Sequence, residues 1–179
     1  MNTYKIEDKE FSMMLNWEEV SFRIEALAQQ INKDYIGRTP VFLVTLKGAM
    51  FFAVELLKSI TIPCSFDCII GKSYHGTSQL APGVVDIYHN NLDLVGRDVI
   101  IVEDIVDTGY TIKRLLEVVN DMQPASVAVA TLLNKPEKHL VSVNPDYVGF
   151  NISPNFIVGF GLDYNEVGRN LKGIYSIME

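Results

Sequence analysis

The chain has 179 residues, 48% of them hydrophobic and 21% charged, with a formal net charge of −7. That size buries a full core without disulfides and implies one domain, while the acidic balance argues against nucleic acid or an anionic membrane as the main partner. An anionic substrate must then be met by local lysines, arginines or metal ions.

The first residues, Met1–Phe11, are polar and acidic and lack the basic start and apolar core of a secretion signal, and no apolar run reaches membrane-span length. With Cys64 and Cys68 as the only cysteines, the expectation is a reducing, cytoplasmic setting. The first helix is predicted to start at Asn16, which can cap it, with Glu19 three residues later completing a capping box. Val20, Ile24, Leu27 and Ile31 share one face of that helix, and Gly37 follows its end. Pro40–Thr45 reads as a buried strand, Leu46-Lys47-Gly48-Ala49 as a tight loop, and Met50–Ile60 as a helix. That helix is apolar over most of its circumference, which predicts a subunit interface as well as a core.

Cys64–Ile70 is predicted as a strand in which Cys64 and Cys68 stand in phase with Phe66 and Ile70. The two cysteines are therefore expected as small core residues, and without further cysteine or nearby histidine they make no metal pair. The polar run Gly71–Gly83 is long for a hairpin loop and reads equally as a lid or as an ordinary surface loop, with His75 solvated within it. Val84–Tyr88 returns as a strand.

Val99–Val102 is a run of β-branched residues suited to a strand buried on both faces. Glu103, Asp104 and Asp107 follow, then Thr108, Gly109 and Thr111, before Ile112, Leu115, Leu116 and Val119 set a helical period. The acids and hydroxyls are thus expected on a strand-to-helix loop, where open α/β sheets bind ligands. Backbone N–H groups at a helix start, with Gly109 allowing close approach, suit a phosphate monoester, and two adjacent carboxylates suit vicinal ribose hydroxyls directly or through a divalent metal. No Gly-Lys-Ser/Thr follows the strand, so this is not a nucleoside triphosphate loop of the Walker A kind. Taken singly, Thr108 or Thr111 is better read as a helix cap, but the whole cluster at the end of a buried strand favours a functional site.

Ser126–Leu133 is another buried strand, with Asn134-Lys135-Pro136 at its C-terminal end on the same sheet edge. His139 reads as surface. Short strands are expected at Tyr147–Phe150, Phe156–Val158 and Gly173–Ile177. The architecture predicted is α/β, a mainly parallel sheet of about five strands with helices on both faces and a small hood built from both chain ends, the latter from about residue 146 onward.

Val102-Glu-Asp-Ile-Val-Asp-Thr-Gly-Tyr-Thr111 resembles the phosphoribosyl-pyrophosphate motif of the type I phosphoribosyltransferases, closest to their hypoxanthine-guanine members. Leu46–Ala49, Ser73-Tyr74, Lys135 and the segment Phe156–Arg169 extend the similarity to five motifs from about Pro40 onward. The resemblance implies transfer of a phosphoribosyl group to N9 of a 6-oxopurine in purine salvage. It implies Asp107 as the catalytic acid–base group, with Ser73 and Tyr74 on a catalytic lid. Glu103 and Asp104 would serve the ribose hydroxyls, and Thr108, Gly109, Tyr110 and Thr111 the 5-phosphate. Lys47, Gly48 and Arg169 would take pyrophosphate, with the peptide bond before Lys47 able to be cis. Lys135, Phe156 and Ile157 would contact the purine in a base-binding hood, and Asp163, with Glu103 and Asp104, would serve Mg2+. A homodimer or homotetramer is the expected assembly. A transferase for another base such as xanthine, and a non-catalytic regulator sensing phosphoribosyl pyrophosphate, remain as alternative readings.

Overall fold

The structure is a computed structural model that describes residues 3–73, 85–88 and 92–178. Six strands form the main sheet: β3 (Val41–Leu46), β4 (Ser65–Ser73), β5 (Val85–Tyr88), β6 (Asp98–Val106), β7 (Ser126–Asn134) and β8 (Tyr147–Asn151). Their order is β5-β4-β3-β6-β7-β8. Every pairing is parallel except that of β5, which runs antiparallel to β4 at the edge. A second sheet, in the order β1-β2-β10-β9, joins β1 (Thr3–Ile6) and β2 (Lys9–Leu15) to β10 (Ile174–Ile177) and β9 (Ile157–Val158). It therefore pairs the two ends of the chain, with Phe11 opposite Ile177.

Alternation along the parallel strands divides the core in two. Phe42, Val44, Ile100, Val102, Ala128 and Ala130 point to one face, where they are covered by α1 (Trp17–Asp34) and α2 (Met50–Lys58). Val41, Leu43, Val99, Ile101 and Val129 point to the other, beneath α3 (Tyr110–Asp121). The α1 capping box forms as its residues predict: the Asn16 side chain accepts from the Glu19 N–H at 2.9 Å, and Glu19 accepts from the Asn16 N–H at 2.8 Å. Each such cap stabilises a helix by about 1 kcal/mol. No helix among the described residues is long and apolar enough to cross a membrane.

Three expectations need correction. Cys64 and Cys68 are not core residues: Cys64 is exposed and Cys68 only half-buried, while Phe66 and Ile70 are exposed and Ile69 is fully buried. Period-two alternation identifies the strand but not which of its two faces is covered. Glu103 and Asp104 lie within β6 rather than on the following loop, because ladder pairing with β7 continues as far as Val106 opposite Asn134. His139 is half-buried rather than a free surface residue, its Nε2 lying 2.9 Å from Asn134 Oδ1. The β1–β2 hairpin was not anticipated at all.

Candidate active site

The strand order turns back on itself between β3 and β6, so the loops leaving their C-terminal ends diverge and leave a crevice. A buried hydrogen bond from Thr45 Oγ1 to the Val102 carbonyl at 2.8 Å ties the two strands together just below it. On one side stands Leu46–Ala49, whose Leu46–Lys47 peptide bond is cis. On the other stands Asp107-Thr108-Gly109, leading into α3.

Gly109 is the residue preceding α3, at φ 89°, and no side chain caps this helix. Among the described residues neither Thr108 nor Thr111 caps the helix, so the cap reading fails, and a helix start of this kind can offer its first-turn N–H groups to an anion. A Cβ at Gly109 would also press on the side chains of Val141 and Val143 at 2.9 Å. Gly48 is constrained differently: a Cβ there would run into the Asp104 carboxylate, and a Cβ on Gly161 would run into the Gly48 carbonyl. Three segments distant in sequence thus meet through glycines where any larger residue would hold them apart.

Glu103 and Asp104 are buried, at 8% and 9% exposure. Among the described residues Glu103 Oε2 has no hydrogen-bond partner. Burial, reinforced by the neighbouring Asp104 charge, pushes the Glu103 carboxyl well above the usual carboxylate range, and burial also raises Asp104. The carboxyl also has hydrogen bonds to Asp104 and Thr45, so it is this single buried, unpaired oxygen that is open to a ligand hydroxyl or cation.

Asp107 sits between two lysines. Lys135 Nζ is 3.2 Å from its Oδ2, and Lys138 Nζ is 2.8 Å from its Oδ1. Burial works to raise the Asp107 carboxyl, but Lys138 and Lys135 outweigh it and hold the group below its ordinary value. Lys135, at 3% exposure, is pushed down by burial, against the opposing pull of Asp107. The lysine at the end of β7 is thus a buried, paired charge rather than a solvated one. Lys138 was missed by sequence reasoning; its spacing from Lys135 across the short 3-10 turn Pro136–Lys138 was the available signal.

Asp163, Glu166 and Arg169 extend the other wall. Arg169 Nη2 is 2.7 Å from Asp163 Oδ1 and 3.3 Å from Glu166 Oε2, its Nη1 donates to the Gly161 carbonyl at 2.8 Å, and Lys47 Nζ is 3.0 Å from Glu166 Oε2. The structure therefore brings Lys47, Asp163 and Arg169 together through Glu166, a residue the sequence reading passed over. Lys47 and Arg169 in turn hold the Glu166 carboxyl below its ordinary value. Ile157 belongs to β9 of the small sheet, and Phe156 just before it packs with Phe11 and meets Tyr164 edge-on at 5.9 Å. Ser73 ends β4, while Tyr74, His75 and the rest of the segment to Gly83 lie outside the described residues.

The family model for the phosphoribosyl transferase domain matches residues 10–165. The hypoxanthine-guanine phosphoribosyltransferase of Streptococcus pneumoniae is 39% identical over 168 residues, 93% of this chain and 93% of the relative. Among solved structures, a hypoxanthine phosphoribosyltransferase from Staphylococcus aureus superposes with TM-score 0.87 at 34% identity, covering 93% of this chain and 91% of that one. The Trypanosoma cruzi hypoxanthine phosphoribosyltransferase in complex with its product IMP gives TM-score 0.86 at 32% identity, covering 98% and 97%. The fold is thus shared with these solved structures over nearly the whole chain, and the chain belongs to the phosphoribosyl transferase family.

Proposed function

We propose that the protein carries out purine salvage, transferring the 5-phosphoribosyl group of phosphoribosyl pyrophosphate to N9 of hypoxanthine or guanine and releasing IMP or GMP with pyrophosphate. The observation that carries this reading is the buried Lys135 paired with Asp107 beside the uncapped start of α3. It joins a reader of a 6-oxo group, a carboxylate and a phosphate cradle in one crevice.

Breaking the C1–pyrophosphate bond leaves positive charge on the ribose and negative charge on the leaving group, so the protein's contribution is electrostatic and positional. The N–H groups of Thr108, Gly109, Tyr110 and Thr111 hold the 5-phosphate. Glu103 and Asp104 take the ribose hydroxyls, which relieves the unpartnered Glu103 oxygen. Asp107 faces N7 of the purine, where its carboxylate takes the N7 proton as N9 bonds to C1 of the ribose, and its negative charge stabilises the developing cation. Lys135 donates to the exocyclic oxygen at C6 and Ile157 reads the far edge of the base from its backbone, with Phe156 against the ring. Lys47, Gly48 and Arg169 receive pyrophosphate. Ser73 and Tyr74, by resemblance, help exclude water, which would otherwise hydrolyse the donor.

Among the described residues no three His, Cys, Asp or Glu converge on one point. The unpartnered, buried Glu103 Oε2 fits Mg2+, which binds through one or two carboxylates and completes its shell with water and substrate oxygens. Asp163, with Glu103 and Asp104 near the ribose, would hold it, and when bound it neutralises charge on the pyrophosphate. The outward apolar side chains of α2, Met50 and Val54, support assembly as a homodimer or homotetramer, and a cytoplasmic location accords with the composition. The deciding experiment measures pyrophosphate release with hypoxanthine, guanine, xanthine, adenine and uracil, with and without magnesium. Magnesium-dependent turnover of hypoxanthine and guanine is expected, and silence with every base would overturn the assignment.

A further inference from the structure

Residues 164–167 close a two-residue hairpin: the Tyr164 N–H donates to the Val167 carbonyl at 2.9 Å, and the Val167 N–H returns to the Tyr164 carbonyl at 3.0 Å. Its two central residues, Asn165 and Glu166, have φ of 51° and 67°. A turn with both central residues left-handed favours asparagine at the first and glycine at the second. Asn165 obeys that rule and Glu166 breaks it, since a Cβ in this region crowds the following carbonyl. Core packing does not explain the choice, because the Glu166 side chain is 65% exposed.

Its carboxylate does have partners. Oε2 bridges Lys47 Nζ at 3.0 Å and Arg169 Nη2 at 3.3 Å, the two cations assigned above to pyrophosphate. The Glu166 N–H also donates to Asp163 Oδ2 at 2.8 Å, which fixes where the side chain leaves the backbone. Residues in unfavoured backbone conformations concentrate at ligand clamps and switch regions, and here the unfavoured residue delivers a negative charge to the anion site.

We propose that Glu166 is an internal counter-anion: it holds Lys47 and Arg169 in the free enzyme, yields them to the pyrophosphate group of the donor, and retakes them as pyrophosphate leaves. The identity of the external anion rests on the function proposed above. Glu166 is on this account a positioning and release residue rather than a catalytic one. By competing for the same two cations, it weakens binding of the product while keeping both side chains extended into the crevice.

The sign of the effect separates this from a purely supporting role. If Glu166 merely braced the two cations, removing it would weaken anion binding; as a competitor, its removal tightens it. Two variants suffice. Glu166→Gln removes the charge and keeps the length, and Glu166→Gly removes the side chain while supplying the residue the turn prefers, so that folding is protected. Binding of magnesium pyrophosphate, read by calorimetry on the full chain, is expected to tighten roughly tenfold in both, the scale set by two exposed ion pairs. Pyrophosphate inhibition against the donor should tighten in step, the donor KM should fall, and kcat should fall where release limits turnover. Unchanged or weaker pyrophosphate binding in both variants would overturn the proposal. Should the wild type be inert with every base and yet show tighter pyrophosphate binding in the variants, the base assignment fails and the counter-anion stands. A wild type that makes IMP, with variants of unaltered pyrophosphate affinity, sinks the counter-anion alone.

Discussion

Lys135 and Asp107 lie on successive strand ends, 3.2 Å apart, with the lysine at 3% exposure and the aspartate at 36%. Replacing one partner of such a pair leaves the other uncompensated, but Lys138 also reaches Asp107 and limits the structural damage of losing Lys135. Function and stability can therefore be separated here by mutation.

Lys135→Met keeps most of the stem's packing and removes three donors. A pocket built around a hydrogen bond to an exocyclic oxygen discriminates by about 10⁴ or more, since the wrong ligand leaves buried polar groups unpaired. Wild type should reject adenine, and the variant should lose most of its kcat/KM with hypoxanthine and guanine while adenine changes little. Competition assays among the three bases check this; a variant that keeps its full preference for 6-oxopurines would remove Lys135 as the reader.

The same lysine gives a pH dependence. Burial holds the folded-state pKa of Lys135 below that of an ordinary lysine, so its charge is lost at lower pH than in a free side chain. The KM for hypoxanthine should rise on the alkaline side as the ammonium is lost. In Lys135→Met this limb should vanish, leaving a pH-independent, high KM over that range.

Asp107→Asn keeps shape and removes charge. With Lys138 and Lys135 holding the carboxyl below its ordinary value, Asp107 is ionised throughout the neutral range, so the substitution removes a charge that is always present. Turnover should fall by roughly a hundredfold or more with donor affinity little changed. Pre-steady-state measurement of the chemical step is the check, and a loss below about tenfold in that step would exclude the assigned role.

Glu103→Gln should stabilise the protein free of ligands. The folded-state pKa of Glu103 is raised, chiefly by burial, so its protonated form is favoured in the fold. That contribution is fully present below the ordinary value of 4.5 and is lost as pH rises through the raised one. At about pH 8 the variant should melt higher than wild type, and at about pH 4 the two should converge. Donor binding should weaken at the same time, a trade of stability for function. Thermal melts across pH, with donor affinity measured alongside, test both halves.

Gly48→Ala would force its Cβ against the Asp104 carboxylate. Either Asp104 or the Lys47 loop must shift, and a misplacement of about 1 Å in a positioning group costs about a hundredfold in rate. Loss of activity on that scale, with the melting temperature changed far less, is the expected result.

Much of this was legible where the signal is local. The α1 cap lies within four residues, and the helical period after Gly109 marks α3. Glu103 and Asp104 defeated local reading because charges ordinarily end a buried strand, whereas here the ladder with β7 carries them inward and leaves them desolvated. The alternation through Cys64, Phe66, Cys68 and Ile70 cannot say which side of a strand is covered, since that depends on where α3 packs. Lys47 and Glu166 are 119 positions apart, and Lys138 and Asp107 are 31 apart. No spacing rule joins such residues; only the crossing of strands does.

The sheet pairing Phe11 with Ile177 has a consequence for biosynthesis. The parallel strands β3, β4, β6 and β7 can assemble as they emerge, but β2 has no neighbour on its β10 side until residues 174–177 have been translated. The hairpin at Glu7 and Asp8 is equally without its partners, Asn165 and Tyr164, during most of synthesis. A nascent chain halted before β10 would carry the acids of β6 and the start of α3 without the sheet that closes over them. Such contacts between distant segments form late and leave strand edges exposed in the interval. Ribosome-bound intermediates should therefore bind chaperones until β10 docks, and competence for the reaction should arrive abruptly with residues 174–177 rather than accumulate along the preceding chain.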